Sequence, residues 1–438
     1  MIEEKIKKAV LLNPDKEAVS YRGERLSYAC LAGNIAEKKA YLSSFNIFSL
    51  AIQTETLDGL ITFLAAVEAG ISSVIIPTDY SEEAIIRLCS EFGMTRYLNG
   101  TVQQSNGSDF SKVQPSGEIG ILSSGTSGDP KIIWKTVSNW TDSFVHQSEC
   151  FGIAENDRLF VLDTLAYSAN LNAAIHMLWQ GGSVVFGQLA EASFWPALLK
   201  QENVSSVFLV PSHARLLVRS TVTFDKITSF VTAGEKLDVE TASRIMEVCP
   251  GVALTEYYGA AELGHVTYQQ NADILKNPLT VGKAFPGVKI RVVAGEIKVE
   301  SPYVSPDYVA EASVHDLGEL QNGVLTLFGR SGRMFNRRGL NIYAAEIENK
   351  ALECGFVIEA ALIPVLLKKG IEKLHLYVSK KAGELQVKER LELYLLERLP
   401  KSKIPNKIIV LDELPHSDAG KIDFRALSKI NEEEQVIA

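Results

Sequence analysis

An α/β fold follows from three features of the sequence. Short apolar, β-branched runs of strand length recur along the chain, helical patterns separate them, and the pattern changes near residue 330. Residues 1–331 are expected to form a large domain of mainly parallel sheets flanked by helices. Residues 332–438 are expected to form a small α+β domain.

The elements can be taken in order. Ser73-Val74-Ile75-Ile76 reads as a buried strand. Val102 to Gly117 is polar and rich in Ser, Gly and Gln, so it reads as a loop. Ile119 to Leu122 resumes the strand pattern, followed by Ser183 to Phe186, Val207 to Val210 and Phe230 to Thr232. The C-terminal boundary falls between Gly329 and Arg333. Beyond it, Ile358 to Val365 and Leu374 to Val378 read as strands. Glu384 to Leu399 reads as a helix, because Leu391, Leu395 and Leu399 recur every fourth residue on one face.

Composition narrows the function. The chain has 438 residues, 46% hydrophobic and 22% charged, with a net charge of −9. That is ordinary for a globular protein, and no overall basic field exists to attract nucleic acid. The cysteines at 30, 89, 150, 249 and 354 form no CxxC pair and no zinc-type cluster, which suits a reduced, cytoplasmic protein. The N-terminal segment is charged throughout, and the apolar window Leu60 to Val67 is too short to span a bilayer.

The strongest local signal is Ile121 to Lys131, ILSSGTSGDPK. A strand-like run leads into Ser123, Ser124, Gly125, Thr126, Ser127 and Gly128, and ends at Lys131. Glycines let the backbone turn sharply and approach a ligand closely. Successive N–H groups and hydroxyls can cradle phosphate oxygens, and Lys131 can neutralise their charge. The Walker pattern does not fit, because Asp129-Pro130 separates Gly128 from Lys131. A plain Ser/Gly-rich surface turn is the ordinary alternative.

SSGTSGDPK resembles the phosphate loop of the adenylate-forming superfamily, which includes acyl- and aryl-CoA synthetases, peptide-synthetase adenylation domains and luciferases. Four further segments resemble the family's motifs in the family's order: YYGAAE from Tyr257, HDLGEL from His315, GRSGRMFNRRGLNIYAAEIE from Gly329, and PHSDAGKID from Pro415. The N-terminal NPDKEAVSY is also similar, so the likeness spans nearly the whole chain.

The resemblance implies a stand-alone ligase that joins an acid to AMP, releases pyrophosphate, and passes the acyl group to a thiol on CoA or on a carrier protein's phosphopantetheine. It implies ATP and Mg²⁺ as requirements, a small carboxylic acid as substrate, and any carrier protein as a separate chain. Tyr258 would stack on adenine, with Gly234 letting the backbone pass close and Gly259 and Ala261 lying beside them. Glu262 would bind Mg²⁺, a hard cation that takes oxygen ligands. Asp316 would hold the ribose hydroxyls, with Arg330 as a nearby donor. Lys421 would reach the carboxylate and α-phosphate during adenylation. The small domain would then rotate for thioester formation, as in other enzymes whose closure completes a site. Each residue also has an ordinary alternative: Asp316 as a turn residue, Glu262 as a solvated helix start, Lys421 as a surface lysine.

Two departures stand out. The family usually has Thr or Ser before the magnesium-binding glutamate, and this chain has Ala261; one lost hydrogen bond is worth on the order of 1 kcal/mol. Gly332 stands at the hinge position usually held by Asp or Lys, and glycine permits rotation there. The acid pocket is expected from Tyr167, Ser168, Asn170, Asn172, Ala233, Tyr257 and Gly264. Ser168 falls near the position where amino-acid-activating relatives keep an aspartate, so an α-amino acid is disfavoured. Asn170, Asn172 and His176 would suit a hydroxylated aromatic or short acid, whereas Leu171, Ile175 and Leu178 would suit a fatty tail. Two other readings stay open: an adenylating enzyme with a non-thiol acceptor, and a degenerate homologue that binds nucleotide without turnover.

Overall fold

Val, Ile and Phe dominate the strand-length runs, and burial on both faces is what lets such runs form the centre of a sheet. The computed structural model describes residues 2–103, 115–124, 130–277, 280–308, 312–330, 333–337, 340–366, 372–417, 421–424 and 426–430. The chain divides into two units, one made of residues 1–276, 284–289 and 299–312, the other of 277–283, 290–298 and 313–438.

The first unit holds two sheets. In one, the strands run in the order Thr101–Gln103, Thr95–Leu98, Ser49–Gln53, Ser72–Ile75, Ile119–Ser124 and Pro130–Lys135. Its centre is parallel and its two edges are antiparallel hairpins. In the other, Ala253–Ala260, Ser229–Ala233, Ser206–Phe208, Arg158–Leu162, Ser183–Gly187 and Glu17–Tyr21 are parallel in that order. Antiparallel strands Gly264–Gln270 and Glu24–Ser27 flank this parallel set. Phe160, Trp195, Val207, Phe230, Ile245 and Leu254 build the core between this sheet and its helices.

The expected strands are present, with informative shifts at their ends. The strand expected to reach Val210 stops at Phe208, because Pro211 opens the helix Pro211–Val218 and holds Val210 extended. The phosphate-loop strand continues through Ser124 and returns as Pro130–Lys135. Of the polar stretch 102–117, residues 104–114 lie outside the described residues, and Val102 closes a short hairpin strand.

The second unit contains an antiparallel set, Thr280–Ala284, Val324–Arg330, Asp316–Gln321 and Glu296–Glu300. It also contains the small α+β arrangement that the sequence predicts. Val357–Leu366, Glu372–Lys380 and Lys407–Leu411 form a sheet, and the helices Ala344–Leu352 and Val387–Arg398 pack on it. The second helix begins at Val387, later than expected, because Gly383 and Gln386 both take positive φ in the preceding turn.

Candidate functional site

Ligands of open α/β sheets gather at the carboxyl ends of the parallel strands. Two adjacent strands of the first unit, Ser229–Ala233 and Ala253–Ala260, carry predicted site residues at those ends, with Ala233 directly opposite Tyr257. Gly234 follows with φ +90°, a conformation glycine adopts without strain, which allows the close backbone passage expected there. Tyr257 and Tyr258 project to opposite faces of their strand. Tyr257 stacks on Phe151 at 5.6 Å and meets His265 at 4.5 Å, while Tyr258 is half-buried on the other face.

Glu262 sits at the tip of the hairpin that joins this strand to Gly264–Gln270, so its expected alternative as a helix start does not hold. The hairpin is closed tightly. A side chain on Gly259 would meet the Gly264 carbonyl oxygen at 2.4 Å, and Gly264 itself has φ +74° and lies against Tyr303. The Glu262 carbonyl accepts the Ser305 N–H at 2.8 Å and the Lys135 amine at 3.0 Å. Among the described residues its carboxylate accepts no hydrogen bond from another side chain or N–H. Ala261 lies beside it in the turn.

Lys131 opens the return strand of the phosphate hairpin, exposed, with its amine 5.8 Å from the Tyr308 ring. Ser123 pairs with Lys131 and Ser124 with Pro130 along the backbone. Gly125, Thr126, Ser127 and Gly128 lie outside the described residues. Lys135, at the far end of the same strand, is buried and donates to the Tyr303 carbonyl at 2.5 Å as well as to Glu262. Burial pulls its amine down to about 7, against the opposing influence of the Glu262 carboxylate.

The expected acid pocket lies along the helix Ser168–Gln180, capped by Tyr167. Gln147, Phe151, Asn172, His176, Phe208 and Tyr257 are among the residues lining a narrow cavity that barely admits a water molecule. Asn170 is turned away, its amide donating to the Thr164 carbonyl at 3.3 Å and hydroxyl at 2.9 Å. His176 bonds Ser148 through Nε2 at 2.9 Å. Burial lowers both His176 and His265 to about 3, and it raises the phenols of Tyr167 and Tyr257, so all four side chains are neutral near pH 7.

The second unit carries the remaining predicted residues. Asp316 is buried and pairs across the sheet with Arg330, so the two positions expected at the ribose are direct neighbours. Lys421 is exposed, next to the bridge between His416 and Ile422, and its carbonyl accepts the Ser417 N–H at 2.7 Å. Ile422 and Phe424 anchor this segment against Ile363, Tyr377 and Leu427. The hinge position Gly332 lies outside the described residues.

Sequence reasoning missed Lys135, Tyr303 and Tyr308. A lysine ending the apolar run Ile132-Ile133-Trp134 was the available sign for the first. Among the described residues no group of three or more His, Cys, Asp or Glu forms a metal cluster, and no helix is long and apolar enough to cross a membrane.

Comparison with known proteins bears on the segments that carry these residues. The AMP-binding enzyme family matches residues 119–308, and the AMP-binding enzyme C-terminal domain matches 346–421. An uncharacterized acyl–CoA ligase, YhfT, of Bacillus subtilis (strain 168) is 27% identical over 333 residues, which is 71% of this chain and 68% of that protein. VraA of Staphylococcus epidermidis, provisionally named a long chain fatty acid–CoA ligase, is 23% identical over 435 residues, 93% of this chain and 94% of its own. The fold matches that of o-succinylbenzoate coenzyme A synthetase from Bacillus subtilis, solved with ATP and magnesium, at a TM-score of 0.79 and 21% identity over 95% of this chain and 98% of that one. The two family matches fall in order on the segments that bear the phosphate strand, the Glu262 hairpin and Lys421, and the chain belongs to the adenylate-forming enzyme superfamily.

Proposed function

We propose that this AMP-forming ligase activates a small carboxylic acid with ATP and transfers the acyl group to a thiol. The observation that carries the reading is the hairpin at Glu262. It brings a carboxylate that accepts no hydrogen bond from the described side chains and N–H groups, two adjacent tyrosines and Gly234 to the carboxyl ends of neighbouring parallel strands. CoA is the favoured acceptor, since similar proteins carry CoA-ligase names. A carrier protein's phosphopantetheine offers the same thiol.

In the proposed first step an oxygen of the acid attacks the α-phosphorus of ATP, the bond to the β-phosphate bridging oxygen breaks, and pyrophosphate leaves. Tyr258 and Gly234 bind the adenine, and Asp316 with Arg330 takes the ribose. Lys131 offsets charge on the departing phosphates, and Lys421 offsets charge on the reacting carboxylate and α-phosphate. Glu262 fits Mg²⁺, because that ion takes one or two carboxylates together with substrate phosphates and water. When bound it would neutralise phosphate oxygens. In the second step the thiolate attacks the acyl carbon and AMP leaves, after rotation of a C-terminal domain beginning near residue 332.

We take the acid to be compact, because the cavity is narrow and has to widen before any acid can enter. Phe151, Phe208 and Tyr257 line it with aromatic rings, and Asn172 and Gln147 add polar side chains. ATP–pyrophosphate exchange over hydroxybenzoates, short and long fatty acids and amino acids tests both parts. Exchange is expected with one class of small acid, falling by about 100-fold or more in Lys421→Ala. Silence across the whole panel would overturn the ligase reading.

A further inference from the structure

The phosphate strand Pro130–Lys135 carries lysines at positions 131 and 135, which side-chain alternation puts on one face. They differ sharply in setting. Lys131 is exposed, whereas Lys135 is only 1% exposed. Its immediate strand neighbours Ile132, Ile133 and Trp134 are buried and apolar, so an apolar side chain would suit the position on packing grounds alone. Burying a lysine amine is costly unless its donors are used. Here they are used on two backbone carbonyls, those of Glu262 and Tyr303.

Those acceptors lie at the turn that presents Glu262 and in the short segment packed against it. Ser305 donates its N–H to the same Glu262 carbonyl at 2.8 Å, and the Asn139 amide donates to the Pro302 carbonyl at 2.8 Å. Gly264 leaves no room for a side chain against Tyr303. Further along this segment, the Tyr308 ring lies 5.8 Å from the Lys131 amine. One short stretch of chain thus touches the strand at both lysines and the hairpin at Glu262.

We infer that Lys135 is a positioning residue for the magnesium–nucleotide end of the site, holding the turn whose carboxylate meets the metal and the ATP phosphates. The inference rests on the adenylation reading above. Lys135 touches neither substrate nor metal. It acts through the Glu262 backbone, and two N–H donors suffice for that role.

The test is calorimetric binding of ATP to the full chain, with Mg²⁺ and with chelator, alongside melting curves. Lys135→Met is expected to weaken Mg²⁺–ATP binding about tenfold while metal-free ATP binding changes less than about twofold. Lys135→Arg, which keeps the donors, is expected to recover most of the loss. If Lys135→Met fails to fold, Lys135→Gln, with a shorter two-donor amide, is expected to show a smaller loss of the same magnesium-specific kind. Wild-type magnesium dependence in Lys135→Gln, or equal losses with and without metal in Lys135→Met, would overturn the inference. A wild-type chain that binds no Mg²⁺–ATP would instead overturn the adenylation reading on which it rests.

Discussion

Gly264 illustrates how much of the site rests on backbone geometry. Its φ is +74°, and a Cβ there would lie 2.7 Å from the Tyr303 Cβ and 3.0 Å from its carbonyl oxygen. Gly264→Ala must therefore displace the Glu262 turn or the 303 segment. The expected cost is about 1–3 kcal/mol, read by urea denaturation, with weakened Mg²⁺–ATP binding. A variant with unchanged stability and nucleotide binding would show that the turn tolerates movement. Lys131, Glu262, Asp316 and Lys421 were legible in the sequence because each sits in a short contiguous motif. Lys135 was not legible in the same way. Its partners are 127 and 168 residues away, and nothing local announces them.

The C-terminal helix shows the same contrast between local and distant information. Its period-four leucines announced the buried face, and Leu391 and Leu395 are fully buried against Ile347, Leu376 and Val378. Its start was less legible, because the positive-φ turn at Gly383 and Gln386 replaces the first expected residues. Leu391→Ala is expected to cost about 2–5 kcal/mol through the cavity it leaves, measured by denaturant unfolding. Leu393→Ala, on the exposed face, is expected to change stability by less than about 0.5 kcal/mol. Equal effects at the two positions would contradict the packing described. The antiparallel strands Lys289–Val293 and Glu296–Glu300 escaped the sequence reading, although their alternation of exposed and more buried residues is a period-two pattern.

At the scale of the whole molecule, buried histidines set a pH dependence of folding. His176 and His265 are held neutral at about 3 by burial, while an unfolded histidine titrates near about 6.5. Between those values the unfolded chain binds protons that the folded chain does not. Stability should be full above about pH 6.5 and fall as pH drops toward 3, by up to about 1.4 kcal/mol per pH unit for each histidine. Denaturant unfolding at pH 8, 6 and 5 checks the slope, and His176→Gln should flatten it. A slope unchanged in that variant would assign the effect to other groups. By itself the sequence determined the α/β class, the apolar runs that became strands, the family and the residues that its motifs contain. The class and the runs are written in local composition and periodicity, and the family and its motif residues in the resemblance of five short segments, in order, to that family's motifs. Only tertiary structure decided that Tyr257 packs among Phe151 and His265, that Asn170 turns to Thr164 while Asn172 lines the cavity, and that Lys135 braces Glu262. Those outcomes depend on which distant segments share a volume and on the need to satisfy buried polar groups there, information that no short stretch of chain contains.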